Sequence, residues 1–307
     1  MNKFKTKISV TDAGWVFALS IFGTAIISIV LSFIMVANSD FLSDQKTLQW
    51  VSGIVAQLCI IGCAVGYSVN KQIDLPTAIG AKNKIKLWHV PALILLAFAV
   101  LCFMLPVQNV VTNLLTNAGL KTPSSVVIDT TGDLVLGLVI ACLLPALCEE
   151  TVYRGFLCNS FARPGKKIDV KAIVVSSLLF AIMHTSPWQF VHPLVLGGVI
   201  AFVYLATKSI WASIILHFSN NAMVLLFGYL LKGSFEAFVI ANWWWIMLIA
   251  LAVIVAIIYL FTKGAKATQD ATDEAMQLRK IDVAKSLSVF SAGTVFCLFM
   301  IVFVIIG

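Results

Sequence analysis

Charge is what this chain has least of. Asp, Glu, Lys and Arg make up 11% of its 307 residues while 60% are hydrophobic, where ordinary soluble domains carry roughly a quarter charged residues. That leaves no room for a separate soluble domain. Histidine is also sparse, with four in all. There is no His-Glu-x-x-His, no internal repeat and no low-complexity tract. The first apolar run follows Lys3, Lys5 and Lys7 but lacks a small-x-small cleavage site, and from Trp15 to Val36 it is longer than a signal-peptide core. It reads as a retained first span. The seven cysteines are odd in number and lie within or beside apolar runs, which excludes a disulfide framework and points to free thiols. The net charge of +7 is dispersed over short loops, so it describes membrane topology and not a nucleic-acid partner.

What the chain does have is apolar runs of about 20 residues, each long enough to cross ~30 Å of hydrocarbon. The fold class is all-α, a polytopic membrane protein of about eight or nine transmembrane helices. Candidate spans cover about 14–36, 50–69, 87–107, 133–160, 170–187, 189–206, 209–230, 240–262 and 286–306. With the N-terminus in the cytoplasm, 18 of the 21 Lys and Arg fall on the inner side, and Lys46, Lys121 and Lys232 fall outside. The main inner clusters are Lys71/Lys82/Lys84/Lys86, Arg163/Lys166/Lys167/Lys171 and Lys263/Lys266/Arg279/Lys280/Lys285. The expected location is a bacterial cell membrane. Gln108 to Thr131 reads as an outer loop bearing a short interfacial helix, with Val110, Val111, Leu114 and Leu115 at helical spacing. Gly264 to Lys285 reads as a solvated inner helix or linker. Gly62-x-x-x-Gly66 and Gly197-x-x-x-Ala201 suggest close helix approach. The chain divides into an N-terminal transmembrane region (1–132), a four-span core (133–230) and a C-terminal region (231–307).

Within the core, Cys148-Glu149-Glu150-Thr151-Val152-Tyr153-Arg154 puts two carboxylates and a guanidinium into an apolar helix. A charge at the bilayer centre costs from ~3 to more than ~10 kcal/mol, so the three need a reason. Glu150 and Arg154 stand at i and i+4 with the acid on the N-terminal side, the favoured order for a pair. Glu149 points about 100° away and has no partner in its own helix. Span five adds Phe180 and His184, and span seven adds His217 and Asn221 at i and i+4 on one face. Glu149 lies 14 residues before Arg163, and His184 lies 14 residues after Val170. At ~1.5 Å per residue both sit about 21 Å from the Pro164-Gly165 hairpin, and His217 and Asn221 sit at roughly 13 and 20 Å from Lys208. The groups converge at one level. By contrast, His192 and His89 read as structural and interfacial, and Trp243-Trp244-Trp245 as an interfacial anchor.

Glu-Glu-x-x-x-Arg, Phe-x-x-x-His and His-x-x-x-Asn, in this order across membrane helices, resemble the CPBP intramembrane proteases. This family is also called CAAX-protease and bacteriocin-processing, or Abi, and includes the Ras-converting CAAX endopeptidase. The resemblance covers about residues 133–230. It implies an endopeptidase in which Glu149 activates a water, His184 holds or deprotonates it, and His217 and Asn221 stabilise the oxyanion. Glu150, Arg154 and Phe180 would support the site. A carboxylate in a partly dry site suits general base work near neutrality, and fixed donors act strongly where negative charge develops. The family has been described both as metalloproteases and as glutamate-type proteases. No cofactor is expected; if a zinc ion takes part, Glu149, His184 and His217 are its ligands.

The expected partners are the lipid bilayer and a membrane-associated peptide, prenylated or simply hydrophobic, cut near the cytoplasmic face. Two other readings compete. Intramembrane Glu, His and Arg also build proton relays in ion-coupled transporters, although no inverted repeat is evident. A catalytically silent immunity or scaffold protein of the same fold is the third.

Overall fold

The computed structural model describes residues 4–37, 45–122, 128–265 and 273–306. Lys3 and Lys266, named above, lie outside those residues, and so do the side chains of Arg279 and Lys280. Nine principal helices run through the described residues: α1 (Val10–Ala37), α2 (Gln45–Asn70), α3 (His89–Asn117), α4 (Thr131–Phe161), α5 (Val170–Met183), α6 (Val191–Thr207), α7 (Ile210–Leu231), α8 (Trp243–Gly264) and α9 (Asp273–Ile306). No strand occurs among the described residues, and a lone bridge pairs Lys5 with Ile73. Eight segments are long and apolar enough to span a membrane. The exception is α5, whose 14 residues reach only ~21 Å.

The helix ends follow local chemistry. Thr130 and Asp133 form a reciprocal capping box at the start of α4. The Asp169 side chain accepts from the Lys171 N–H to start α5. Ser9 and Asp12 cap α1, and the Asp282 carboxylate of α9 accepts from the Val10 and Thr11 N–H groups at 2.6 and 3.1 Å. Of the segment read as a solvated inner helix or linker, the described part just before Lys285 is helical. From residue 273 it is the first turns of α9, fastened to the other end of the chain. The expected interfacial helix after Gln108 is also absent, because α3 continues unbroken to Asn117. The helical spacing of Val110, Val111, Leu114 and Leu115 belongs to that extension; residues 123–127 of the loop lie outside the described set.

One core gathers α1, α2, α4, α5 and α6 around Phe17, Tyr153, Phe156 and Phe180. A second joins α3, α6, α7 and α8 around Leu93, Leu96, Ile200 and Leu216. The outer belt is apolar and exposed, as lipid contact requires, with Phe33, Leu248, Val295 and Phe303 among its members. Gly197 lets helices meet: a Cβ there would stand 3.0 Å from Phe180 and 3.3 Å from Arg154. Gly62 and Gly66 do not, since neither has a neighbour within 4 Å. All seven cysteines are free.

Helix α5 ends at Met183, earlier than the hydropathy of 170–187 suggested. His184 is its C-cap, Thr185 takes a positive φ of 48°, and a short turn at Pro187–Gln189 leads into α6. At ~21 Å α5 stops short of a ~30 Å hydrocarbon layer, while α3, α4 and α7 continue past the hairpin tip. The hairpin therefore leaves a void above it.

Candidate active site

That void is a cavity of about 620 Å³. Glu149, Phe180, His184, His217 and Asn221 all line it, so four of the side chains singled out for chemistry share one space with the phenylalanine. Glu150 and Arg154 lie behind them, both fully buried.

Local structure in α4 explains the split between the two acids. The helix is π-helical at Leu138–Leu143 and again at Thr151–Cys158, on either side of Leu144–Glu150, a distortion that recurs at functional sites. Pro145 has no N–H for the carbonyl of Ala141 four residues back. The Asn221 amide of α7 donates to that carbonyl instead, at 3.3 Å. Glu149 turns toward α2, where Gln57 Nε2 donates to its Oε1 at 2.8 Å. Glu150 turns inward. Its Oε1 accepts from Arg154 Nη1 at 2.8 Å and from His217 Nδ1 at 2.7 Å. Arg154 Nη2 donates to the Gly197 carbonyl at 3.1 Å, and its guanidinium lies 4.5 Å from the centroid of the Phe180 ring, within the range of a cation–π contact.

Phe180 is the hub of this layer. Tyr153, His184 and His217 meet it edge-on at 5.1, 5.0 and 5.8 Å between centroids. Its carbonyl takes a hydrogen bond from His184 Nδ1 at 2.8 Å. A carbonyl oxygen only accepts, so Nδ1 carries the hydrogen and Nε2 of neutral His184 keeps a lone pair. His217 is oriented in the same way by the Glu150 carboxylate, with Nδ1 as donor. Its Nε2 becomes a donor only when the ring is cationic.

Outside the membrane-spanning helices, Asp169 anchors the hairpin. Its carboxylate accepts from Arg163 Nε at 2.7 Å and Nη2 at 2.8 Å. Burial pushes this carboxyl up, but the bonds from Arg163 and from the Arg163 and Lys171 backbone outweigh it and hold it down at about 2.

Three residues at or beside the site were not legible as site residues in the sequence. Gln57 is a single amide in an apolar helix and matches no motif. Asn220 is buried, with Nδ2 3.4 Å from His192 Nε2 and 3.4 Å from Asn221 Oδ1; only its neighbour fits the His-x-x-x-Asn spacing. His192 was set aside as structural, yet it lines the cavity.

Among the described residues no three His, Cys, Asp or Glu side chains are grouped to hold a metal ion, Glu149, His184 and His217 included. His184 and His217 each give Nδ1 to a protein acceptor and keep Nε2, and one oxygen of Glu149 faces Gln57.

Fold and site together define a polytopic helical membrane protein with an acid–base cluster walled into its bundle. Residues 131–223 match the family model of the Rce1-like type II CAAX prenyl endopeptidases, in agreement with the CPBP resemblance of the three motifs. The matched segment runs from the start of α4 into α7 and contains every motif residue from Glu149 to Asn221. No curated protein and no solved structure matches the chain. The family match supports intramembrane endopeptidase activity.

Proposed function

We propose that the chain hydrolyses a peptide bond of a membrane-associated substrate with a water activated by Glu149. The observation that carries this reading is the convergence of Glu149, His184, His217 and Asn221 from α4, α5 and α7 on one cavity, with the tautomer of each histidine set by its Nδ1 partner.

Gln57 holds Glu149 Oε1, which leaves Oε2 to take a proton from water. The water's second hydrogen points to the lone pair on His184 Nε2. Its oxygen adds to the peptide carbonyl, and negative charge moves onto the carbonyl oxygen. Asn221 has one amide hydrogen beyond the one given to Ala141, and it meets that oxyanion. His217 contributes Nε2–H as an imidazolium. In that form Glu149, Glu150, Arg154 and His217 sum to zero charge. Glu149 next returns its proton to the amide nitrogen and the C–N bond breaks, leaving a carboxylic acid and an amine, which exchange a proton to become carboxylate and ammonium. One water is consumed, and no metal takes part in this scheme.

The test uses the purified full chain and a hydrophobic reporter peptide in lipid. Turnover is expected to survive chelation and dialysis, and Glu149→Gln is expected to abolish it with the protein still folded. Loss on chelation with recovery at about one zinc per chain would replace the carboxylate-activated water with a metal-bound one.

A further inference from the structure

The cavity extends from the catalytic layer in one direction. Its walls continue from Glu149 and His217 to Thr112 near the end of α3, Thr122 beyond it, and Val224 on α7. In the opposite direction the bundle is closed. Every residue from Thr151 to Cys158 is buried, a solid stretch just below Glu149. Beneath it the segment 78–83 is laced across the bundle end. Asn159 Nδ2 donates to Ala78 O at 2.8 Å, Trp211 Nε1 to Ala81 O at 2.8 Å and Ser209 Oγ to Asn83 O at 2.7 Å.

The closed end is the basic one. It carries Lys5, Lys7, Lys71, the Lys82–Lys86 run, the Arg163–Lys171 turn and Lys263. At the open end the sequence supplies only Lys46, Lys121 and Lys232, and Lys46 is paired with Asp133 at 2.5 Å. Basic residues near helix ends stay in the cytoplasm. The distance of the catalytic layer from the basic hairpin, counted in residues, says nothing about which way it opens; the walls do.

We infer that the cavity opens to the extracytoplasmic face, and that the substrate is a membrane-anchored peptide whose cleavage segment enters from that side: an exported or membrane-inserted chain, not the cytoplasmic tail of a lipidated protein. This rests on the protease reading above. Among the described residues Glu149 is the only carboxylate lining the cavity and no Lys or Arg lines it, so the entering segment meets a mainly neutral wall of Gln108, Thr112, Thr122 and Gln189.

The test is labelling by a membrane-impermeant maleimide in bacterial cells expressing the full chain, against unsubstituted protein as background. Lys121→Cys marks the open end, Lys167→Cys the basic end, and Val224→Cys and Thr122→Cys mark the rim. Intact cells are expected to label the rim and Lys121→Cys, with loss of that labelling in sealed inverted vesicles, where Lys167→Cys is labelled instead. Labelling of the rim together with Lys167→Cys, or of the rim and Lys121→Cys only in inverted vesicles, overturns the inference. So does a rim that stays unlabelled from both sides while Lys121→Cys reacts. Two rim positions guard against one variant failing to fold. The readout needs no turnover and is expected to be unchanged in Glu149→Gln protein. Correct labelling with no peptide ever cut would sink the protease reading and leave the access result standing.

Discussion

Replacing Arg154 by methionine keeps a long flexible side chain in a fully buried site but removes three contacts at once. These are the ion pair with Glu150, the hydrogen bond to the Gly197 carbonyl and the contact with the Phe180 ring. Taking one partner from a buried pair costs ~3–5 kcal/mol, mainly because the other charge stays buried without it. Against a total stability of ~5–15 kcal/mol, the folded-to-unfolded ratio falls by roughly two to four orders of magnitude at ~1.4 kcal/mol per tenfold. The double variant Glu150→Gln/Arg154→Met removes both charges, and His217 Nδ1–H still has the amide oxygen of the new glutamine as acceptor. Replacing a whole buried pair is often close to neutral. The double variant is therefore expected to be more stable than the single one, although both lose activity. Detergent-solubilised yield and thermal unfolding of purified protein measure this. A single variant as stable as wild type, or a double variant less stable than the single, refutes the assignment of Arg154 as the charge that compensates Glu150.

Gln57→Leu removes the donor to Glu149 Oε1. A hydrogen bond to a charged group contributes ~1.5–3 kcal/mol, so kcat is expected to fall roughly ten- to a hundredfold with KM unchanged; a rise in KM alone would make Gln57 a substrate contact instead. The Arg163–Asp169 link gives a pH signature. Because the Asp169 carboxyl sits at about 2 in the folded chain and near ~3.9 unfolded, its contribution is fully present above the unfolded value and is lost as pH falls through the folded one. Between those values protease protection of the 163–169 turn is expected to fade in wild type, and Asp169→Asn is expected to lack that protection already at neutral pH. Equal protection of the two proteins at pH 7 would show that the link does not hold the turn.

What the sequence made legible was what one helix can encode. Glu150 and Arg154 pair because they are one turn apart, and that spacing survives the π-helical stretch that begins at Thr151. Nine helices follow from hydropathy, but the early end of α5 does not, because His184-Thr185-Ser186 caps the helix through a positive φ that an apolar average cannot register. Contacts between helices were beyond reach. His217 lands on Glu150 and Gln57 on Glu149 only because α7 and α2 pack against α4. The small-residue pattern misled once: Gly197 lies under Phe180 and Arg154, whereas Gly62 and Gly66 have no close neighbour. Asn221 was found by its spacing from His217, but its link to Ala141 depends on Pro145 in another helix.

The central claim is that Glu149 drives proteolysis of membrane peptides. It is tested most directly by comparing the peptide termini of membrane fractions from cells carrying wild-type or Glu149→Ala protein at equal abundance, using mass spectrometry. New termini, in membrane-associated chains, are expected only with the wild type. Identical sets of termini from the two membranes would contradict the account.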